Sequence, residues 1–141
     1  MNPFYILLAI LAGIFTTIEA SINSQLGKYI TPEVATFHSL LVGMTFIFLL
    51  NLINGKLIFY TKITTIKPIW LIGGIFGASI IYLYASSIPR LGISNTIILI
   101  LSGQLLSGLI VDAIANNVEL SIRKITGLVL FLIGAIVFLK E

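Results

Sequence analysis

The chain has 141 residues, of which 58% are hydrophobic and only 9% charged, and its mean hydropathy is +1.14. Eight Lys plus Arg and five Asp plus Glu cannot supply the polar shell of a water-soluble fold, which excludes a soluble globular enzyme and a polar disordered segment. The net charge of +3 is too small for the cationic face of a nucleic-acid binder, and the absence of cysteine excludes a disulfide framework, thiolate metal sites and cysteine nucleophiles.

A hydrocarbon core about 30 Å thick takes roughly 20 apolar residues per helical crossing. Five stretches meet this requirement, at 3–26, 33–52, 68–88, 92–111 and 122–139. The expected fold is therefore an all-α integral membrane protein with five transmembrane helices in one domain, 1–141. Helix-ending residues separate the stretches: Gly27-Lys28, Thr31-Pro32, Asn54-Gly55-Lys56, Lys67-Pro68, Pro89-Arg90-Leu91-Gly92 and Asn116-Asn117. The apolar runs are continuous and do not alternate, which excludes barrel strands. The first stretch has no Lys or Arg ahead of it and outruns the core of a signal peptide, so it reads as a retained helix. An odd number of crossings puts Lys56, Lys62, Lys67, Arg123 and Lys124 on the side of the N-terminus, against Lys28, Arg90 and Lys140 on the other. This bias points to a cytoplasmic N-terminus and is small enough to allow insertion in both orientations.

In the first helix, Glu19 is the acid set deepest in an apolar run. A charged carboxylate at a helix centre costs about 2.5–3.5 kcal/mol on insertion scales, which marks it as a functional candidate. Thr16 precedes it at i−3 and Asn23 and Gly27 follow at i+4 and i+8, with Ala12 one turn further back than Thr16, giving a small, polar stripe that should face other helices or a wet cavity. In the second helix stands the chain's one histidine, His38, entering from the membrane surface nearest Glu19, so that the two form a candidate proton-coupling pair. The third helix opens with Trp70, an interfacial anchor, and continues through Gly73, Gly74 and Gly77, small residues that permit close helix approach. Tyr82 and Tyr84 lie deeper and are placed to line a cavity. In the fourth helix Gln104, Gly108 and Asp112 share a face at i, i+4 and i+8. Gln104, near mid-membrane, suits substrate binding or a helix–helix bond, whereas Asp112 reads as a solvated helix-end residue. Gly103 in this helix, and Gly127 and Gly134 in the fifth, complete the expected packing glycines.

Phosphate loops, His-Glu-x-x-His, nucleophile elbows and clusters of potential metal ligands are all missing from the sequence. The expectation is a protein that is not an enzyme and needs no cofactor or metal.

The chain resembles the YdcZ-like family, the small five-helix, single-domain members of the drug/metabolite transporter (DMT) superfamily. The resemblance is carried by Glu19-Ala20-Ser21-Ile22-Asn23-Ser24-Gln25-Leu26-Gly27-Lys28 and Trp70-Leu71-Ile72-Gly73-Gly74-Ile75-Phe76-Gly77-Ala78. It continues in Ile88-Pro89-Arg90-Leu91-Gly92, Ser102-Gly103-Gln104-Leu105-Leu106 and the late Gly127 and Gly134. It implies a multi-pass protein of the bacterial inner (plasma) membrane that works as a half-transporter, paired with a second copy or a paralogue, commonly antiparallel. It also implies a likeness to the small multidrug resistance transporters, whose first helix carries an essential carboxylate. The pattern implies an amide at position 19, so the carboxylate there is a departure.

These features together predict a homodimeric secondary transporter of a small organic solute or metabolite, with the bilayer as its surroundings and no nucleic-acid partner. Proton coupling would run through Glu19, with Asn23, Gln104, His38, Tyr82 and Tyr84 at the binding site. Two other readings stay open. A small dual-topology ion channel is one, because fluoride channels also use Gly-Gly-x-x-Gly-Ala segments, although an arginine stands there at the position of Ile81. A membrane assembly protein without transport is the other.

Overall fold

Asn2 begins the first helix, α1 (Pro3–Tyr29), by accepting a hydrogen bond from the Phe4 amide on its side chain at 3.0 Å, with Pro3 in the first-turn position that needs no N–H. The computed structural model describes residues 2–115 and 121–140. α1 passes through Gly27 and Lys28, where the sequence predicts its end, because one glycine costs a helix only about 1 kcal/mol. The glycine lies where α1 approaches the start of α2, and a Cβ there would be 3.4 Å from the Cα of Pro32, at ordinary contact. The helix ends at Ile30, whose amide donates to Leu26 O at 3.1 Å.

Thr31 then caps α2 (Pro32–Ile53) through Val34 N–H to Oγ1 at 3.3 Å. The link is two residues long, so α1 and α2 fold back on each other as an antiparallel hairpin. α2 stops at Asn54, and Gly55 takes a left-handed φ of +63°, a conformation that favours glycine. The connection that follows is itself structured, as 3₁₀ segments at Lys56–Thr65 and Pro68–Leu71.

The third apolar stretch is expected to be one helix from Pro68. Its first turn is 3₁₀ and α3 proper runs Gly73–Leu91, with the change falling at Gly73-Gly74, where α-helix propensity is lowest. α3 also passes Pro89, placed in its last turn, and ends only at Gly92, whose φ is +80°. α4 (Ile93–Ala115) extends past the expected end at Val111, and α5 (Ile122–Phe138) starts from Ser121, whose Oγ accepts from Lys124 N–H at 3.3 Å. The expected break at Asn116-Asn117 lies outside the described residues.

All elements are helical among the described residues. Among the described residues, four spans are long and apolar enough to cross a membrane: Pro3–Tyr29, Pro32–Ile53, Pro68–Leu91 and Ile93–Ala115. α5 has 17 residues, about 25 Å at 1.5 Å per residue.

By contact the chain divides into two compact units, Met1–Arg90 and Leu91–Glu141. In the first, the buried side chains are Ala20, Asn23 and Ser24 on α1, Ala35 and Thr36 on α2, and Tyr84, Ala85 and Ile88 on α3. They lie in the halves of the three helices next to the α1–α2 link. Most are small, as helix pairs in lipid require, because close backbone approach replaces the hydrophobic drive available in water. Large apolar side chains such as Phe15, Phe46 and Phe76 are exposed, an outer surface suited to hydrocarbon. In the second unit, α4 and α5 pack on each other.

Candidate functional site

The polar stripe expected on α1 is only partly available to a ligand. Thr16 turns its hydroxyl back to Ala12 O at 2.8 Å, and Thr17 and Ser21 likewise bond to Gly13 O and Thr17 O. Such bonds satisfy a hydroxyl within its own helix. Glu19 and Asn23 remain, one turn apart, and both reach across to α2. Asn23, 4% exposed, donates from Nδ2 to the Ser39 hydroxyl at 3.1 Å, and that hydroxyl donates in turn to Oε1 of Glu19 at a long 3.4 Å. A serine hydroxyl can accept and donate at once, so Ser39 joins the amide to the carboxylate in one chain.

These groups line a groove of about 500 Å³ between α1 and α2, together with His38 and apolar walls that include Phe15 and Val42. Glu19 is ten residues from the end of α1 at Tyr29, about 15 Å along the axis. This is deeper than the sequence boundary at Leu26 would place it. Glu19 is nevertheless exposed in the single chain, on the open side of the groove.

His38 and Glu19 share this groove, as expected from their depths. Among the described residues no ion pair joins them, and the α2 atom that reaches the carboxylate belongs to Ser39. The sequence reading missed Ser39, yet the two-residue link contains its signal. A hairpin turning at Ile30 and Thr31 sets position 23 opposite 38 and position 19 opposite 42, so Ser39 falls between the two polar residues of α1.

The α3 tyrosines divide between two acids. Tyr84 is buried and within electrostatic reach of Glu19, whereas the Tyr82 hydroxyl extends toward the carboxylate of Glu33. Glu33 lies in the first turn of α2, where a negative charge complements the helix N-terminus.

Gln104 belongs to the second unit. It lines a groove of about 490 Å³ between α4 and α5 with Gly108, Asp112, Lys124 and Gly127, so its predicted face with Gly108 and Asp112 is present. Asp112 Oδ2 and Lys124 Nζ are 4.0 Å apart and both half-exposed, a pairing worth little in water. A Cβ added at Gly73, Gly74, Gly77, Gly103, Gly127 or Gly134 would meet nothing within 4 Å among the described residues. Among the described residues, no three His, Asp or Glu side chains group to hold a metal.

No curated protein and no solved structure shows significant similarity to the chain. Residues 4–137 match the family described as "Putative inner membrane exporter, YdcZ", and with its apolar helical spans the chain belongs to that family, as a multi-pass protein of the inner membrane and a membrane transporter.

Proposed function

We propose that the protein is a secondary transporter of the drug/metabolite type that moves a small organic solute, cationic in preference, in exchange for protons bound at Glu19. The observation that carries this reading is the Asn23–Ser39–Glu19 chain, set at mid-helix depth in a groove whose remaining lining is apolar apart from His38. A carboxylate at that depth is costly unless protonated or paired. A proton and a solute cation are then alternative partners for the same oxygen atoms, and transport follows from their different affinities in inward- and outward-open states. The neighbouring amide and hydroxyl orient the solute, and His38 at the same groove offers a second proton site.

In this reading all five helices cross the bilayer, with α5 spanning by its full length, and the working unit is an antiparallel homodimer. Two copies related by an axis in the membrane plane would supply the inverted repeat on which alternating access rests. The glycines left bare on α3, α4 and α5 supply small surfaces for the second copy.

The decisive comparison uses proteoliposomes with an imposed pH gradient and a panel of organic cations and neutral metabolites. The unmodified chain should couple uptake of one class to proton flux, and Glu19→Gln should lose gradient-driven transport while still folding. Full pH-coupled transport by Glu19→Gln would refute the carboxylate mechanism. Solute-saturable flux without proton coupling in the parent would make the protein a facilitator, and ion currents that stay linear with concentration would make it a channel.

A further inference from the structure

The connection between α2 and α3, residues 54–72, has a chemistry that transport does not use. We infer that it is an interfacial clamp for anionic phospholipid headgroups. Three lysines lie in it, Lys56, Lys62 and Lys67, and all three are exposed. Between Glu33 and Asp112 the sequence has no carboxylate at all, so their counter-charge must come from outside this stretch of chain. Interleaved with them are large apolar groups that are exposed among the described residues, including Ile58 at 71%, Tyr60 at 69% and Trp70 at 75%. Water disfavours the second set and hydrocarbon the first. Only the headgroup layer accommodates both, with amphipathic aromatic rings at the level of the glycerol and ammonium groups among phosphates.

The backbone is adapted to the same layer. A 3₁₀ run of ten residues, Lys56–Thr65, is unusual, since such helices seldom exceed three or four. Three threonines support it by donating their hydroxyls back along the segment: Thr61 to Ile58 O at 2.7 Å, Thr64 to Thr61 O at 3.3 Å and Thr65 to Lys62 O at 2.7 Å. Side-chain donors are thus satisfied internally where water is scarce. With three residues per turn, Lys56, Phe59, Lys62 and Thr65 form one row. Within that row the Lys62 ammonium lies 5.5 Å from the centroid of the Phe59 ring, a cation–π geometry. Charge complementarity therefore selects a phosphodiester without a neutralising ammonium, of the phosphatidylglycerol kind, over a zwitterionic headgroup.

The protein carries its own reporter, because Trp70 is its single tryptophan. Purified protein is reconstituted in equimolar phosphatidylglycerol and phosphatidylcholine, with brominated chains on one lipid or the other, and Trp70 quenching is compared. Brominated phosphatidylglycerol should quench more strongly. The preference should fall roughly fivefold for each lysine removed in the series Lys62→Gln, Lys56→Gln/Lys62→Gln and the triple variant with Lys67→Gln, and it should fade as salt is raised. Equal quenching by the two lipids in the parent overturns the proposal, as does a preference that the folded triple variant retains. If the triple variant does not fold, the salt titration of the parent decides, and a preference insensitive to salt overturns it.

Discussion

The Ser39 hydroxyl on α2 donates to Oε1 of Glu19 on α1 across 3.4 Å, while accepting from Asn23 at 3.1 Å. Ser39→Ala removes a partner from each, leaving the amide of a nearly buried asparagine without its acceptor. A lost bond of this kind costs about 1 kcal/mol. The expected result is a thermal midpoint lowered by a few degrees and a weakened apparent affinity for the transported solute. Ser39→Thr, which keeps the hydroxyl, should restore most of both. Thermal shift in detergent together with transport KM checks this, and equal behaviour of the alanine and threonine variants would remove Ser39 from the site.

Gly27 on α1 faces Pro32 at the start of α2. Its added Cβ would sit 3.4 Å from Pro32 Cα, an ordinary contact, so Gly27→Ala should change stability by less than about 1 kcal/mol, helped by the better helix propensity of alanine. Gly27→Leu drives further atoms into the Pro32 backbone and should destabilise by about 1–3 kcal/mol. Denaturation in mixed micelles distinguishes them, and a leucine variant as stable as the parent would show that the hairpin can open without loss.

The apolar spans were legible because about 20 consecutive apolar residues leave few alternatives to a crossing helix. Boundaries were less so. Gly27, Pro89 and Val111 all lie inside helices, because a single weak helix former near an end does not outweigh hydrogen bonds that the bilayer makes obligatory. Glu19 lies deeper than the boundary expected at Leu26 implies, but the groove it shares with His38 followed from helix spacing. The Ser39 link did not, since it depends on the register of α1 against α2, which only the length of their connection sets. Gln104 illustrates the opposite difficulty. Its own helix face is plain from i, i+4 spacing, but spacing within one helix carries no information about which other helix supplies the facing wall, here α5.

Gly92 takes φ +80°, a conformation that costs a residue with a Cβ about 1–2 kcal/mol. Gly13 is helical with nothing within 4 Å of its added Cβ. Gly92→Ala should therefore destabilise by about that amount, and Gly13→Ala should be neutral or gain up to about 1 kcal/mol. Paired thermal unfolding curves test the difference, and equal midpoints would show that the backbone at Gly92 relaxes without strain.

Gly74 and Gly134 both offer open space where a side chain would begin, with nothing within 4 Å among the described residues. A leucine at either position should leave the unfolding free energy of the isolated chain within about 0.5 kcal/mol of the parent, the usual range for surface substitutions. The proposed homodimer is a different matter. If these bare surfaces meet the second copy, the added side chains prevent close backbone approach and association weakens by 1–3 kcal/mol, about five- to 150-fold, comparable to overpacking in a core. Energy transfer between donor- and acceptor-labelled chains, diluted in vesicles, measures the association directly. Loss of transfer with an unchanged unfolding midpoint assigns the glycines to the interface, whereas unchanged transfer in both variants leaves them facing lipid and places the dimer contact elsewhere.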